Sequence, residues 1–420
     1  MIHVIDSEMG SGKTRGITEW LESDVSTQSN DTKYIYVTPF LDEVKRVMQL
    51  CPQANFHTPN NEDWSTKSKH LTHLVSKSHN IATTHSLFSL ITQDMCRMLR
   101  ERRYVLILDE VMECVSKYNA LSDHDIKVLL KSGYVSPCEN TSNLIWSEID
   151  DDKYIGKFGA VRHLCLNRKL DLYGGKVLLE TFPIEFLNCF SEVYILTYLF
   201  KGSAMSSYLK AHGLTYEMLT IQDNKIKPWS EFCDESSRKR DLRGLITIYE
   251  GPMNKIGTKI GQSCPLSSTW YDTQATQKTS AIASLKASTG HYFKKVADTR
   301  AIDNAWTVFK PQVKRLKGDG YSKGWIPVNC RATNQYIDKR SLAYLCNVFH
   351  NPTIVQYFKQ RGIAFNQDLY ALSEMLQWIW RSQIRRCDPI HLFIPSERMR
   401  GLLYLWLNTR STPELIRQLS

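Results

Sequence analysis

A short apolar run, Ile2-His-Val-Ile5, leads directly into Ser7-Glu-Met-Gly-Ser-Gly-Lys-Thr14 and then a helical stretch through Glu22. Few local patterns restrict a fold so strongly. β-Branched residues before a glycine-rich loop predict a buried strand, and the helix after the loop must carry the chain back beside it. Glycines at 10 and 12 let backbone N–H groups turn inward around an anion, and the following helix N-terminus adds its partial positive charge. Lys13 is placed to reach the outer phosphates of a polyphosphate, and the Thr14 hydroxyl to bind its magnesium ion. Met9, Gly10, Ser11, Gly12, Lys13 and Thr14 are therefore the expected nucleotide-binding residues, with ATP and Mg²⁺ as cofactors.

Further apolar runs follow at intervals that leave room for crossover helices: Tyr34–Val37, Asn80–Thr83, Tyr104–Leu108 and Val193–Leu196. Runs of this kind predict buried parallel strands and an α/β doubly wound lobe. A chain of 420 residues accommodates two cores of roughly 200 residues each. The polar stretch Ser230 to Arg243 is the expected linker, giving a first lobe over 1–235 and a second over 236–420. Strands expected in the second are Leu245–Tyr249, Gly324–Asn329 and Ile390–Ile394. At the end of one first-lobe strand stands Asp109-Glu110. Asp109 is expected to hold the metal through water, and Glu110 to orient or activate the water that attacks the γ-phosphate.

Composition sets the outer limits. No apolar run reaches membrane-spanning length, and the N-terminal strand leaves no room for a signal or transit peptide, so the cytosol (of the host, for a phage protein) and no membrane are expected. The net charge of +10 favours polyanionic partners. Eleven cysteines without a CxxC pair predict reduced thiols and no structural zinc.

The order of these motifs resembles that of superfamily 2 helicases of the DEAD/DEAH type, from end to end. Ser7–Thr14 matches motif I, Val37-Thr38-Pro39 looks like motif Ia, Ala82-Thr-Thr84-His85 like motif Ib, and Asp109-Glu-Val-Met112 is similar to a DEAH-type motif II. Leu196-Thr-Tyr198 stands where motif III is expected, with Tyr in place of a small residue. Arg331-Ala-Thr333-Asn334 looks like motif V and Gln377-Trp-Ile-Trp-Arg381-Ser-Gln-Ile-Arg385 like motif VI, although its arginines lie four apart where the family has three. The helicase part of herpesvirus origin-binding proteins and small helicase-like ATPases of phages and mobile elements share this character. The resemblance implies two RecA-like lobes with an ATP site in the cleft between them, and a single nucleic-acid strand, DNA favoured over RNA, crossing both. Thr38, Pro39, Thr84, His85, Arg331 and Thr333 would contact it.

Residues Asp368 to Arg385 are expected to form one amphipathic helix, with Gln377, Arg381 and Arg385 on a polar stripe. A guanidinium delivered there would stabilise charge on the transferring phosphoryl group. Trp378 and Trp380 are expected in the core. The basic runs 97–103, 238–243 and 310–317 suit solvated faces. Two functions fit: an ATP-dependent helicase or translocase in replication, recombination or repair, with other replication proteins as expected partners, or a nucleotide-gated switch or initiator that grips nucleic acid without unwinding it. The two lobes take up nearly the whole chain and leave no obvious accessory domain or strand-separating pin.

Overall fold

The computed structural model describes residues 1–27, 31–138, 141–147, 156–229, 234–261, 263–330 and 335–420. The chain divides into two compact units, each built on a parallel sheet. It is an α/β protein with a mainly parallel sheet in each unit, as its strand pattern predicts.

The first unit comprises Met1–Ser7, Ser11–Pro228 and Asn351–Phe365. Its strands in chain order are β1 (Ile2–Asp6), β2 (Lys33–Thr38), β3 (Ile81–Thr84), β4 (Tyr104–Asp109), β5 (Val115–Lys117), β6 (Val135–Pro137), β7 (Leu144–Trp146), β8 (Leu170–Tyr173), β9 (Val177–Thr181), β10 (Glu192–Thr197), β11 (Glu217–Gln222) and β12 (Lys225–Pro228). Seven form the main sheet, in the order β12-β11-β1-β10-β4-β2-β3. All pairings are parallel except that of the edge strand β12. Alternation along the strands explains why both faces are covered. Val4, Val37, Leu106, Leu108 and Ile195 enter one core, while Ile5, Tyr36, Val105, Ile107 and Leu196 enter the other. Each such side chain contributes about 1.5–3 kcal/mol by leaving water.

Between β4 and β10 the chain builds an accessory layer, where the sequence offers no obvious accessory domain. It holds the antiparallel sheet β5-β9-β8, the hairpin β6–β7, and the helices Asp123–Lys131 and Gly159–Leu166. Ile126, Leu129, Leu144, Trp146, Val161 and Leu178 form a separate small core. Its strands are as short as three residues, too short for a period-two pattern to stand out. The helix Pro352–Lys359 returns to this unit from the second half of the sequence. Ile354, Tyr357 and Phe358 enter its core, and the Tyr357 hydroxyl donates to Asp171 Oδ2 at 3.1 Å.

The second unit comprises Glu8–Gly10, Trp229–His350 and Asn366–Ser420. Strands β13 (Ile246–Ile248), β14 (Asn304–Thr307), β15 (Ser341–Tyr344) and β16 (Ile390–Phe393) form an all-parallel sheet in the order β13-β16-β15-β14. Three expectations are corrected here. Gly324–Asn329 is not a strand: Pro327 has no N–H to give a ladder, and only an isolated bridge joins Trp306 to Trp325. The expected linker is largely the helix Ser236–Leu245, because Lys239 and Leu242 are buried and supply tertiary contacts that local polarity does not reveal. The helix Gln367–Ile379 ends before either arginine of the expected stripe. A 3₁₀ turn, Gln383–Arg386, follows, so Gln377, Arg381 and Arg385 do not share one helical face. Trp378 and Trp380 are buried.

Candidate nucleotide site

The loop after β1 has the backbone its glycines allow. Gly10 and Gly12 stand at φ +75° and +86°, a region that costs a side-chain-bearing residue strain. The helix Lys13–Thr27 starts inside the motif, so its N-terminal N–H groups open towards the loop. Lys13 Nζ donates to the Ser7 carbonyl at 2.5 Å, closing the loop over its own backbone.

Across the sheet, Thr14 Oγ1 donates to Asp109 Oδ2 at 3.4 Å, and the buried Tyr36 hydroxyl donates to the same oxygen at 3.2 Å. Burial, then the neighbouring Glu110 and Glu43, push the Asp109 carboxyl up to about 7, against the lowering effects of Tyr36 and Lys13. Such a carboxyl binds a cation readily, because a cation removes the cost of its buried charge. Glu110 takes a left-handed backbone, φ +77°, with its N–H bonded to the Leu196 carbonyl at 2.9 Å. Its Oε2 is buried without a hydrogen-bond partner. A strained glutamate with an unsatisfied oxygen beside a carboxylate–hydroxyl pair is the arrangement that a magnesium-bound triphosphate and a water would satisfy. Lys13, Thr14, Asp109 and Glu110 therefore fit the group that the sequence implies.

Three supporting residues escaped sequence reasoning. Asp6, at the end of β1, accepts from the N–H groups of Leu199 and Phe200 at 2.8 and 3.0 Å. It fixes the chain after β10, where Leu199 is left-handed. Asn224 sits in the two-residue turn between β11 and β12, whose members Asp223 and Asn224 both have positive φ, the geometry of a tight hairpin. Its Oδ1 would lie 2.7 Å from a Cβ added to Gly12, so the second glycine is needed for packing as well as for turning. Glu8 belongs with the second unit and is buried there. Arg238 Nε lies 3.2 Å and Lys239 Nζ 3.3 Å from its carboxylate, and Arg238 also donates to the Met9 carbonyl. Only an unusual acidic residue inside a phosphate loop hinted at such partners.

The remaining expected residues are distributed as follows. Thr38 is buried and its hydroxyl donates to the Phe40 carbonyl at 2.9 Å; Pro39 follows at the half-buried end of β2. Thr84 caps the helix His85–Phe88 by accepting from the Leu87 N–H, so its hydroxyl has a structural task. Gln377 and Arg381 are buried in the second unit, where Arg381 Nε donates to the Gln377 carbonyl at 3.1 Å; Arg385 is exposed. Arg331 and Thr333 lie outside the described residues.

A curated relative is 36% identical over 421 residues, covering 97% of this chain and 99% of its own length: the SPbeta prophage-derived uncharacterized protein YonV of Bacillus subtilis (strain 168). The chain belongs to the YonV family. The profile of the YonV C-terminal Rossmann-like domain matches residues 240–407, a stretch that holds all four strands of the second unit. Among solved structures, apo XPD matches 96% of this YonV-family chain with 95% of its own, at 13% identity and a TM-score of 0.47. Xpd4 of S. tokodaii matches 98% with 95%, at 11% identity and TM-score 0.49. The DUF1998 helicase MrfA, solved with DNA and AMPPNP, matches 97% with 48%, at 10% identity and TM-score 0.35. No helix among the described residues of this YonV-family member is long and apolar enough to cross a membrane.

Proposed function

We propose that this chain is an ATP-dependent nucleic-acid translocase of the helicase type, working on DNA in the replication, recombination or repair of a phage genome. The observation that carries the reading is Glu110, held left-handed with a buried unpartnered oxygen directly after the aspartate that meets Thr14. In this reading Lys13 holds the outer phosphates, Thr14 and Asp109 hold magnesium, and Glu110 accepts the proton of the attacking water. Magnesium supplies the Lewis acidity that spreads charge off the γ-phosphate. Gln377, Arg381 and Arg385 are proposed to complete the catalytic set. The motif order, the charge of +10 and the prophage origin of the relative support a nucleic-acid track, single-stranded DNA over RNA. Pro39, His85, Arg331 and Thr333 are its proposed contacts, with Thr38 and Thr84 shaping the backbone between them.

Hydrolysis of ATP by the purified chain, with and without single-stranded DNA or RNA, tests this reading. Stimulation by one polymer, abolished by Lys13→Ala and by Glu110→Gln, is expected. Turnover indifferent to both polymers would refute the motor and favour a partner-activated switch.

A further inference from the structure

The other end of the first unit's main sheet carries a second concave feature. The starts of β2 and β3 frame a cleft of about 250 Å³, partly open to solvent, lined among others by Lys33, Gln53, Asn55, His57, Ser78 and His79. β2 runs six residues from Lys33 to Thr38, so the cleft lies about 17 Å of strand away from the edge that holds Asp109 and the phosphate loop. It is a separate place and needs a separate explanation.

Its chemistry is consistent from several directions. The rings of His57 and His79 meet at 4.2 Å between centroids, tilted by 46°, and put two aromatic rings in the lining. Burial, then His57, His73, Lys33 and Lys77, hold the His79 ring below the usual imidazole range. Two carboxylates of the neighbouring helix are already committed to protein donors. Glu22 accepts the N–H groups of Gln53 and Ala54 at 3.1 and 3.4 Å, and Asp24 accepts the Tyr34 hydroxyl. The ammonium of Lys33 is left as the charge of the lining. Asn55 and Ser78, both in the lining, are left-handed at φ +46° and +55°.

We propose that this cleft binds a nucleotide unit, with its phosphate on Lys33 and the side-chain amides of Gln53 and Asn55, and its base against the His57–His79 pair. Such a unit comes from two sources, a free mononucleotide or the phosphorylated end of a strand. The site is independent of the function proposed above, and the test keeps the two apart.

Calorimetric titrations on the Lys13→Ala chain, whose phosphate loop is disabled, would use inorganic phosphate, thymidine monophosphate and 5′-phosphorylated dT5. Thymidine monophosphate is expected to bind at least tenfold more tightly than phosphate, and Lys33→Glu or Gln53→Trp to weaken it tenfold or more. Gln53 is exposed, so its substitution blocks the cleft without disturbing the core; matching thermal unfolding curves check this. In chains that keep Lys13, both substitutions should leave basal ATP turnover unchanged. Tighter binding of dT5 than of the monomer assigns the site to strand ends, and the reverse to free nucleotide; either supports the proposal. Equal affinity for phosphate and thymidine monophosphate, no saturable binding, or binding indifferent to both substitutions would overturn it.

Discussion

Thr14 Oγ1 and Asp109 Oδ2 meet at 3.4 Å, bringing together a hydroxyl from the first turn of a helix and a carboxylate from the end of β4. The pair gives a divalent cation one neutral and one anionic oxygen, the hard donors magnesium prefers. Asp109→Asn keeps the shape and removes the charge. It should lower magnesium-dependent hydrolysis by at least 100-fold while leaving nucleotide affinity in EDTA within about threefold of the parent. Fluorescent-nucleotide titrations with and without magnesium, beside steady-state turnover, separate the two effects.

Glu110 combines function with strain. At φ +77° a glycine is relaxed where glutamate is not, so Glu110→Gly should stabilise the fold by about 1 kcal/mol. The same change removes the carboxylate and should cut turnover by about 10²–10⁴-fold. Urea unfolding of both proteins checks the first half; a variant less stable than the parent would show that the backbone there carries no strain.

Asp6 makes stability depend on pH. Burial first, opposed by the Leu199 and Phe200 N–H bonds, raises its carboxyl from 3.8 to about 6. Between these two values the folded chain holds a proton that the unfolded chain has released. This contribution therefore declines as pH rises through the window, by about 3 kcal/mol in all, and levels off above it. Asp6→Asn removes that slope. Urea midpoints at pH 4.5 and pH 7 should differ less in the variant than in the parent, once the change shared by all other groups is subtracted.

Lys239 is nearly inaccessible, yet its ammonium reaches Glu8 at 3.3 Å, Glu235 at 3.6 Å and the Trp406 carbonyl at 3.0 Å. It also lies 4.4 Å from the Trp406 ring centroid. Lys239→Met should cost about 3–5 kcal/mol, because it leaves buried carboxylate charge undercompensated. Adding Glu8→Gln should return part of that loss, a coupling that a double-mutant cycle in urea measures.

What could be foreseen from the residues follows the strength of local signals. The five strands at Ile2, Tyr34, Asn80, Tyr104 and Val193 were legible because each is an apolar run buried on both faces. The phosphate loop was legible because strand, glycines, lysine and helix adjoin in sequence. β14 and β15 were not, since Asn304-Ala-Trp-Thr307 and Ser341-Leu-Ala-Tyr344 carry polar ends that become buried only inside the assembled sheet. The arginine stripe failed for a related reason: the apolar periodicity stops at Ile379, and the chain leaves the helix there, before either arginine, continuing into a 3₁₀ turn. Asp6 and Asn224 do their work through partners more than 190 residues away, Leu199 for Asp6 and Gly12 for Asn224, which no local window contains.

The return of Asn351–Phe365 to the first unit has a consequence for synthesis. Ile354, Tyr357 and Phe358 belong to a core whose other members begin at Ile2. A ribosome therefore makes three of the second unit's four strands, all but the β16 that joins β13 to β15, before the first unit's core can close. The early half must wait with an apolar vacancy, open to chaperones, until residue 365 emerges.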